Sequence, residues 1–251
     1  KSNFQVAFMS PTEILAKQHF DLAKNLFDKK INLALLTSKT EYKDRKKIIN
    51  DLINNKIDLI IGTHSLFQEK IKFFKLGLIV IDEQHKFGVK QRKMLSDKGG
   101  KNCDILVMSA TPIPRTMVMT IFGDMDTSLI KNKPKNRKEI KTYSKLDTKL
   151  NEVISFTKKQ IIDGNQVFWV CPLIEESKKV DHQSSIKRYE SLKDEFKGKV
   201  GLIHGLLNKD EKNKILNDFL NKKIDVLVST TVIEVGIDFP NANLIIIENA
   251  N

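Results

Sequence analysis

The strongest constraint on this sequence is the alternation of short apolar runs with longer amphipathic segments. Nine runs are rich in Val, Ile and Leu without polar alternation, which predicts strands buried on both faces of a parallel sheet. The runs are Val6–Met9, Ile31–Leu36, Leu59–Ile61, Leu78–Ile81, Ile105–Met108, Val167–Val170, Val200–Ile203, Val226–Val228 and Leu244–Ile247. Helices are predicted over Thr12–Lys29, Lys43–Asn54, Thr148–Ile162, Ile186–Phe196 and Lys209–Leu220. Strand–helix alternation at this spacing predicts an α/β fold with right-handed crossovers.

One polar stretch interrupts this alternation and predicts a boundary between two domains. Residues 132–138 are mostly charged or amide side chains and include Pro134, which is typical of a linker. We therefore predict a first domain over residues 1–131 and a second over residues 139–251. Each is expected to be a mostly parallel sheet flanked by helices. A chain of 251 residues has room for two ordinary domains.

The charge balance indicates an affinity for polyanions, with one competing explanation. The chain has 43 Lys and Arg against 31 Asp and Glu, a formal net charge of +12. Lys, Asn and Ile are abundant throughout, so a bias in coding composition explains the charge equally well. The Lys-rich face of residues 39–47 is interpreted as a solvated surface. The few arginines are Arg45, Arg92, Arg115, Arg137 and Arg188.

Several classes of protein are excluded or disfavoured by what the sequence lacks. No apolar run approaches the roughly 18 residues of a membrane helix, and the first residues do not resemble a signal peptide. Cys103 and Cys171 lie in apolar runs and are expected to be small core residues rather than a disulfide or zinc set. We therefore expect a protein of the reducing cytoplasm, without membrane association.

Two adjacent carboxylates, Asp82 and Glu83, follow the fourth apolar run and form the sharpest local signal. An Asp at a strand end can hold Mg²⁺ together with its waters. A neighbouring Glu can orient or deprotonate the attacking water in phosphoryl transfer. A hydrophobic run followed by Asp-Glu also occurs by chance. His85 could instead join the carboxylates in a metal site, although no second His or Cys lies nearby.

A second signal follows the next apolar run, at Ser109-Ala110-Thr111. Hydroxyls at this strand end could sense events at Glu83 on the neighbouring strand. The alternative is a capped helix start with prolines in its first turn, and both readings can hold together. Similar hydroxyl-bearing turns follow three other runs, which suggests one polar surface for anions where the strands end. These turns are Ser10-Pro11-Thr12, Gly62-Thr63 and Ser229-Thr230-Thr231.

Taken together, these segments resemble superfamily 2 helicases, and most closely the RecG branch of ATP-dependent DNA helicases that remodel branched DNA and stalled forks. Six blocks in family order carry the resemblance across almost the whole chain. They are Met9–His19, Gly62–Glu69, Asp82–Val89, Thr111–Thr116, Phe168–Ser177 and Thr230–Asp238. Lys86 and Ser109 depart mildly from the family, which usually has Arg and often Thr there. The resemblance implies two tandem RecA-like domains.

The resemblance also implies a role for each matching residue. Asp82 would hold Mg²⁺, Glu83 would activate water, and Gln84 and His85 would link nucleotide state to the domain interface. A coupling segment would transmit hydrolysis to movement; it contains Ser109, Ala110, Thr111 and Arg115. DNA-backbone contacts would come from Pro11, Thr12, Gly62, Thr63, His204, Thr230 and Thr231. Gly236 and Asp238 would approach the nucleotide.

Further expectations concern the family motifs that the sequence lacks and the ligands of the complete gene product. The family's Gly-x-x-x-x-Gly-Lys-Ser/Thr loop and its arginine-bearing motif VI are missing from the sequence, as is its wedge domain. Both RecA-like domains are therefore expected to be truncated, and this piece alone is not expected to be a competent ATPase. For the complete gene product the resemblance implies ATP and Mg²⁺ as cofactors, forked DNA as partner, a monomer, and a place at the bacterial nucleoid.

The roles of Trp169 and His204 and the choice between two classes of function need a structure to be decided. Trp169 lies inside an apolar run and is expected to pack in the core rather than stack on a base. His204 begins either a loop that faces DNA or an ordinary turn. A non-catalytic DNA-binding scaffold is the alternative to an ATP-driven translocase, and DNA binding alone does not separate the two because both would weaken with salt.

Overall fold

The computed structural model describes residues 3–27, 30–83, 98, 103–110, 126–130, 132, 139–171, 178–230 and 237–249. The chain divides into two units, Lys1–Ile130 and Lys131–Asn251, and each has its own sheet. Of the predicted linker, only Asn132 lies within the described residues. The proposed domain limits at residues 131 and 139 therefore stay predictions.

The first unit is a five-stranded parallel sheet in the order β2-β3-β1-β4-β5. Its strands are β1 Gln5–Met9, β2 Leu33–Leu36, β3 Leu59–Gly62, β4 Leu76–Ile81 and β5 Asp104–Val107. Helix α1, Glu13–Phe27, connects β1 to β2, and helix α2, Tyr42–Ile53, connects β2 to β3. A short 3-10 helix, His64–Phe67, follows β3.

The strand register brings the ends of four neighbouring strands to one level. Met9, the last residue of β1, is paired with Gly62 of β3 on one side and with Ile81 of β4 on the other. Ile81 is in turn paired with Val107 of β5. Because all these strands are parallel, the segments that follow them leave the same edge of the sheet.

Apolar side chains cover both faces of the first sheet. One cluster contains the fully buried Met9, Leu36 and Ile79. Ala16 and Ala23 of α1 pack with Ile61 in a second cluster. Burial of a large aliphatic side chain contributes on the order of 1.5–3 kcal/mol, so these clusters hold the central strands in place.

The second unit is a four-stranded parallel sheet in the order β7-β8-β6-β9. Its strands are β6 Gln166–Val170, β7 Val200–Ile203, β8 Val226–Ser229 and β9 Ala242–Ile247. Its helices are α3 Leu150–Ile162, α4 Lys178–Glu195 and α5 Lys209–Leu220, and a 3-10 helix, Asp147–Lys149, precedes α3. Asn208 and Glu211 form a reciprocal capping box at the start of α5.

The structure confirms the α/β class, all nine predicted strands and the two parallel sheets. Helix α4 begins at Lys178 rather than at Ile186. The added residues, 178–185, contain Val180 as their one aliphatic side chain, so they carry no apolar periodicity that could have predicted the earlier start.

The expectation of burial on both faces was wrong for two edge strands. In β5, Ile105 and Leu106 are 38% and 49% exposed. In β9, Ile245 and Ile247 are 51% and 48% exposed and alternate with less exposed residues. Among the strands that the structure describes, each of these two has a neighbour on one side only. A run of apolar residues therefore predicts a strand but not its place in the sheet.

The core of the second unit contains Trp169, whose side chain is fully buried, as predicted. Cys171 is also buried, whereas Cys103 is partly buried and packs against the core of the first unit. Burial, followed by the nearby Glu248 carboxylate, raises the pKa of Cys171 to about 12 despite the opposing charge of Arg188. Both cysteines are free thiols.

Candidate active site at the strand ends

Four pairs of predicted site residues lie at the same edge of the first sheet, because of the register described above. Each pair lies at or just beyond the carboxyl end of a strand, on neighbouring strands in the order β3-β1-β4-β5. The pairs are Gly62 and Thr63, Pro11 and Thr12, Asp82 and Glu83, and Ser109 and Ala110. The sheet thus brings together residues that lie far apart in the sequence.

Asp82 is held by contacts from three directions. Its backbone N–H donates to the carbonyl of Met9 at 2.9 Å. Its Oδ1 accepts the backbone N–H of Glu83 at 3.0 Å, and its Oδ2 lies 2.9 Å from His19 Nε2. The Asp82 side chain remains 18% exposed. The carboxylate is therefore fixed in direction and still open to a ligand.

Glu83 combines burial with an unusual backbone conformation. It is 4% exposed and has a φ of +50°, in the left-handed region that non-glycine residues rarely adopt. Such conformations cost on the order of 1–3 kcal/mol and cluster at functional sites. Glu83 is nearly buried whereas the Asp82 side chain is partly exposed, so the two adjacent carboxylates occupy different surroundings.

The loops of β1 and β3 are fixed by backbone contacts. Ser10 N–H donates to the Gly62 carbonyl at 2.9 Å, and Thr63 N–H donates to the Leu36 carbonyl at 3.3 Å. The Thr12 hydroxyl accepts the N–H of Leu15 at 3.3 Å, in the first turn of α1. A Cβ added to Gly62 would lie 2.3 Å from the Leu36 carbonyl oxygen, so only glycine fits there. Gly62 therefore has a packing requirement in addition to any contact with DNA.

The surroundings of Asp82 fit a magnesium ion that has a carboxylate as its protein ligand and is otherwise coordinated by phosphates and waters. Each carboxylate oxygen accepts one protein hydrogen bond and keeps a further lone pair, and carboxylate oxygen is the donor that Mg²⁺ prefers. Within the described part of the chain, no three His, Cys, Asp or Glu side chains converge as a metal cage. This agrees with Mg²⁺ sites in which one or two carboxylates act together with phosphates and waters.

In the second unit, His204 and Thr230 lie just after neighbouring strands. His204 follows β7, and its carbonyl accepts the N–H of Leu207 at 3.3 Å in a turn. Thr230 follows β8, is 6% exposed and donates its N–H to the Ile203 carbonyl at 3.3 Å. Asp238 is exposed and lies in the connection from β8 to β9. The neighbouring Phe239 anchors that connection by packing 5.3 Å from Phe168, centroid to centroid.

Some predicted site residues lie outside the described residues, so the structure does not place them. They are Gln84, His85, Thr111, Arg115, Thr231 and Gly236.

Sequence reasoning missed two interactions at these strand ends. The first is the contact of His19 with Asp82, which spans 63 positions in the sequence. The second joins three residues of the second unit: Glu248 Oε1 accepts the Trp169 indole N–H at 2.5 Å, and Arg188 Nε lies 2.6 Å from the same oxygen. His19 was part of a recognised block and Arg188 one of the few arginines. Neither signal could identify the partner, because pairing depends on the tertiary fold.

Comparison with known proteins identifies the class of this fold. A family model described as DEAD/DEAH box helicase matches residues 1–120, and one described as helicase conserved C-terminal domain matches residues 147–251. Both are consistent with the two parallel sheets and the carboxylates at the end of β4. The chain is therefore the two-domain core of a superfamily 2 helicase.

The family within that class follows from individual relatives. The chain is 46% identical to the ATP-dependent DNA helicase RecG of Bacillus subtilis over 253 aligned positions, which cover 100% of this chain and 37% of that protein. It is 48% identical to the RecG of Thermotoga maritima, covering 99% of this chain and 32% of that one. A solved structure of RecG bound to a three-way DNA junction matches with a TM-score of 0.80 and 44% identity, covering 96% of this chain and 31% of that chain.

The chain belongs to the RecG family and spans about a third of the length of these relatives. The yeast protein Dbp5 bound to RNA and ADP BeF3 matches with a TM-score of 0.66 at 20% identity, covering 96% of this chain and 61% of that one. At that identity the likeness reflects the fold alone. In the part of the chain that the structure describes, no helix is both long and apolar enough to span a membrane.

Proposed function

We propose that the whole protein to which this chain belongs is an ATP-driven DNA translocase that acts on branched DNA and remodels stalled forks in recombination and repair. The observation that carries the proposal is the pair Asp82 and Glu83 at the carboxyl end of β4. One carboxylate is anchored yet open to a ligand, and the other is buried in a left-handed turn. Identity of 46% to a RecG over the whole chain supports the substrate class.

The two carboxylates would divide the work of ATP hydrolysis. Asp82 would hold Mg²⁺, which when bound neutralises charge on the β- and γ-phosphates. Glu83 would orient the attacking water and accept its proton. The low exposure of Glu83, 4%, supports this role because bulk water would otherwise compete for its oxygens.

The neighbouring loops would hold the DNA backbone. Pro11 and Thr12 follow β1, which is paired with the strand that carries the carboxylates, and Thr63 follows β3 on the other side of β1. The hydroxyls of Thr12 and Thr63 would donate to phosphate oxygens without reading base sequence, whereas Pro11 has no N–H or hydroxyl and would contact the DNA backbone by packing alone. This suits a motor that must act on any sequence. The net charge of +12 favours the same partner, and the binding should weaken steeply with salt.

The remaining expectations form part of the same proposal. The protein would act as a monomer at the bacterial nucleoid, with Ser109 and Ala110 in the segment that couples hydrolysis to movement. These two residues lie beyond β5, which is paired with β4. A change in the position of Glu83 could therefore reach them across one pair of strands.

The test is steady-state ATP hydrolysis by the complete protein, with a three-way DNA junction and with linear duplex of equal length. We expect turnover that the junction stimulates more strongly, and a loss of about 10²–10⁴-fold in Glu83→Gln. The variant should keep its DNA affinity, because amide and carboxylate have nearly the same shape. The 251-residue piece, assayed beside it, is expected to turn over far more slowly.

Three outcomes would contradict all or part of the proposal. If the complete protein hydrolyses no ATP, or if Glu83→Gln leaves turnover unchanged, the catalytic assignment fails. A protein that binds the junction but hydrolyses no ATP would be a DNA-binding scaffold. If linear duplex stimulates ATP turnover as strongly as the junction, the assignment as an ATP-driven translocase is kept and the proposed preference for branched DNA is wrong.

A further inference from the structure

His19 contacts the carboxylate that the proposed function assigns to the metal. Its Nε2 lies 2.9 Å from Asp82 Oδ2, and the two side chains are 27% and 18% exposed. A carboxylate can only accept a hydrogen bond, so Nε2 carries the hydrogen and donates it. Hydrogen bonds to a charged acceptor are roughly twice as strong as those between neutral groups. The contact is therefore able to hold the direction of the Asp82 carboxylate.

The imidazole ring itself has a fixed position. It packs on the ring of Phe8 in β1, with centroids 4.6 Å apart and planes tilted by 47°. Phe8 is the residue before Met9, whose carbonyl accepts the backbone N–H of Asp82. One end of β1 therefore positions both partners of the hydrogen bond. Because α1 carries His19 and β1 carries Phe8, a shift of α1 relative to β1 would change the position of the ring.

Helix α1 connects the contact between His19 and Asp82 to Pro11 and Thr12, which are predicted to contact DNA. Thr12 caps the start of α1: its hydroxyl accepts the N–H of Leu15 and its carbonyl accepts that of Ala16. His19 lies two helical turns further along, about 10 Å of helix at 1.5 Å per residue. Leu15 and Ala16 are 2% and 0% exposed, so the helix is anchored between the two positions. A shift at Thr12 would reach His19 through a rigid element.

We propose that His19 is a positioning residue that couples DNA contact at Pro11 and Thr12 to the orientation of Asp82 toward the Mg²⁺-bound nucleotide. The inference rests on the proposed function, and it adds a specific connection between the two binding events. His19 touches neither ligand and acts through Asp82. Coupling of this kind is reciprocal: bound nucleotide must change the affinity for DNA by the same factor as DNA changes the affinity for nucleotide.

The experiment measures binding in the complete protein rather than turnover. The affinity for a fluorescent three-way junction is determined without nucleotide and with Mg²⁺ plus a non-hydrolysable ATP analogue, and the ratio of the two is the coupling factor. The variants are His19→Phe, which keeps a ring against Phe8 but has no donor, and His19→Gln, whose amide nitrogen can reach the same oxygen. His19→Asn provides a donor on a shorter side chain.

We expect a coupling factor of about 5–150-fold in the unsubstituted protein. It should fall to nearly 1 in His19→Phe and His19→Asn and be largely retained in His19→Gln. DNA affinity without nucleotide and the thermal midpoint should change little in all three. If His19→Phe does not fold, the difference between the Gln and Asn variants decides the question, because both lack the ring and differ in reach.

Three outcomes would overturn the inference. Full coupling in His19→Phe would show that the donor is not needed, and full coupling in His19→Asn would show that a donor with the reach of His19 Nε2 is not needed. A loss of coupling in His19→Gln as large as in His19→Asn, with a lowered thermal midpoint in both, would show that His19 is structural only. Absence of coupling in the unsubstituted protein would contradict both this inference and the proposed function on which it rests. In the first two outcomes, DNA-stimulated turnover that depends on Glu83 would leave the proposed function intact.

Discussion

Gln5 and Gln166 occupy the same place in the two sheets and make the same kind of contact. Each is the first residue of an inner strand, and each side-chain amide donates to two backbone carbonyls far away in the sequence. Gln5 Nε2 reaches Leu52 and Ile57 at 3.0 and 2.9 Å, and Gln166 Nε2 reaches Phe219 and Ile224 at 2.6 and 2.7 Å. The two glutamines are 1% and 3% exposed. Each joins the start of its sheet to the end of a helix.

We expect Gln166→Leu to destabilise the second unit by about 1–3 kcal/mol, because it removes two hydrogen bonds from buried carbonyls. The measurement is urea unfolding followed by far-UV circular dichroism. Gln166→Glu retains the length of the side chain but replaces the donor with an acceptor, so it should destabilise at neutral pH as well. Unchanged stability in both variants would mean that water replaces the lost donor.

Gly62→Ala should destabilise the first unit by about 1–3 kcal/mol, the usual cost of overpacking a filled site. The added Cβ would lie 2.3 Å from the Leu36 carbonyl oxygen, which forces β2 and β3 apart where they are paired. Gly205→Ala is the matched control, since a Cβ there meets nothing within 4 Å. Comparable thermal midpoints for the two variants would contradict the packing argument.

The interactions of Glu248 should make a measurable contribution to the stability of the second unit. Glu248 Oε2 also accepts from Arg188 Nη2 at 3.3 Å, so Arg188 contacts both carboxylate oxygens. Arg188→Gln should lower the free energy of unfolding by about 1–3 kcal/mol, as for other hydrogen bonds to charged groups. Trp169 is the only Trp in the chain and contacts Glu248, so its fluorescence follows this unit alone.

Lys158→Gln is the control for that measurement. Lys158 and Glu195 form an ion pair at 2.5 Å in the same unit, but their side chains are 45% and 43% exposed. Exposed pairs contribute little, so this variant should lower the free energy of unfolding, followed by Trp169 fluorescence, by less than about 1 kcal/mol. An equal loss of unfolding free energy in Arg188→Gln and Lys158→Gln would show that burial of the Arg188–Glu248 pair does not strengthen its contribution to stability.

Cys171 should make the second unit less stable at alkaline pH. Its pKa is raised from 9.0 to about 12 in the folded chain, mainly by burial. The folded state therefore keeps its proton where the unfolded state loses it, and stability falls as pH rises between these two values. Cys171→Ala should flatten this decline in urea unfolding at pH 8 to 11, measured against the unsubstituted chain. An identical decline with and without the substitution would assign it to other groups.

The sequence by itself determined the succession of elements and the chemistry of the strand ends. Val, Ile and Leu runs predicted where the strands lie, because short unalternating apolar runs are typical of strands in a parallel sheet covered by helices. The adjacent carboxylates Asp82 and Glu83 followed one such run, and their position at a strand end could be predicted from the chain alone. These are local properties, set by residues within a few positions of each other.

The tertiary structure decided which of these local features meet. Strand order placed β4 between β1 and β5, and register placed Met9, Gly62 and Ile81 at one level. It also set His19 against Asp82 across 63 positions, and it left Ile105 exposed on an edge strand although its run reads like the others. Periodicity reports whether a residue is apolar relative to its neighbours in sequence. Which element packs against that residue depends on the order and connections of the strands, and these are defined only in the folded molecule.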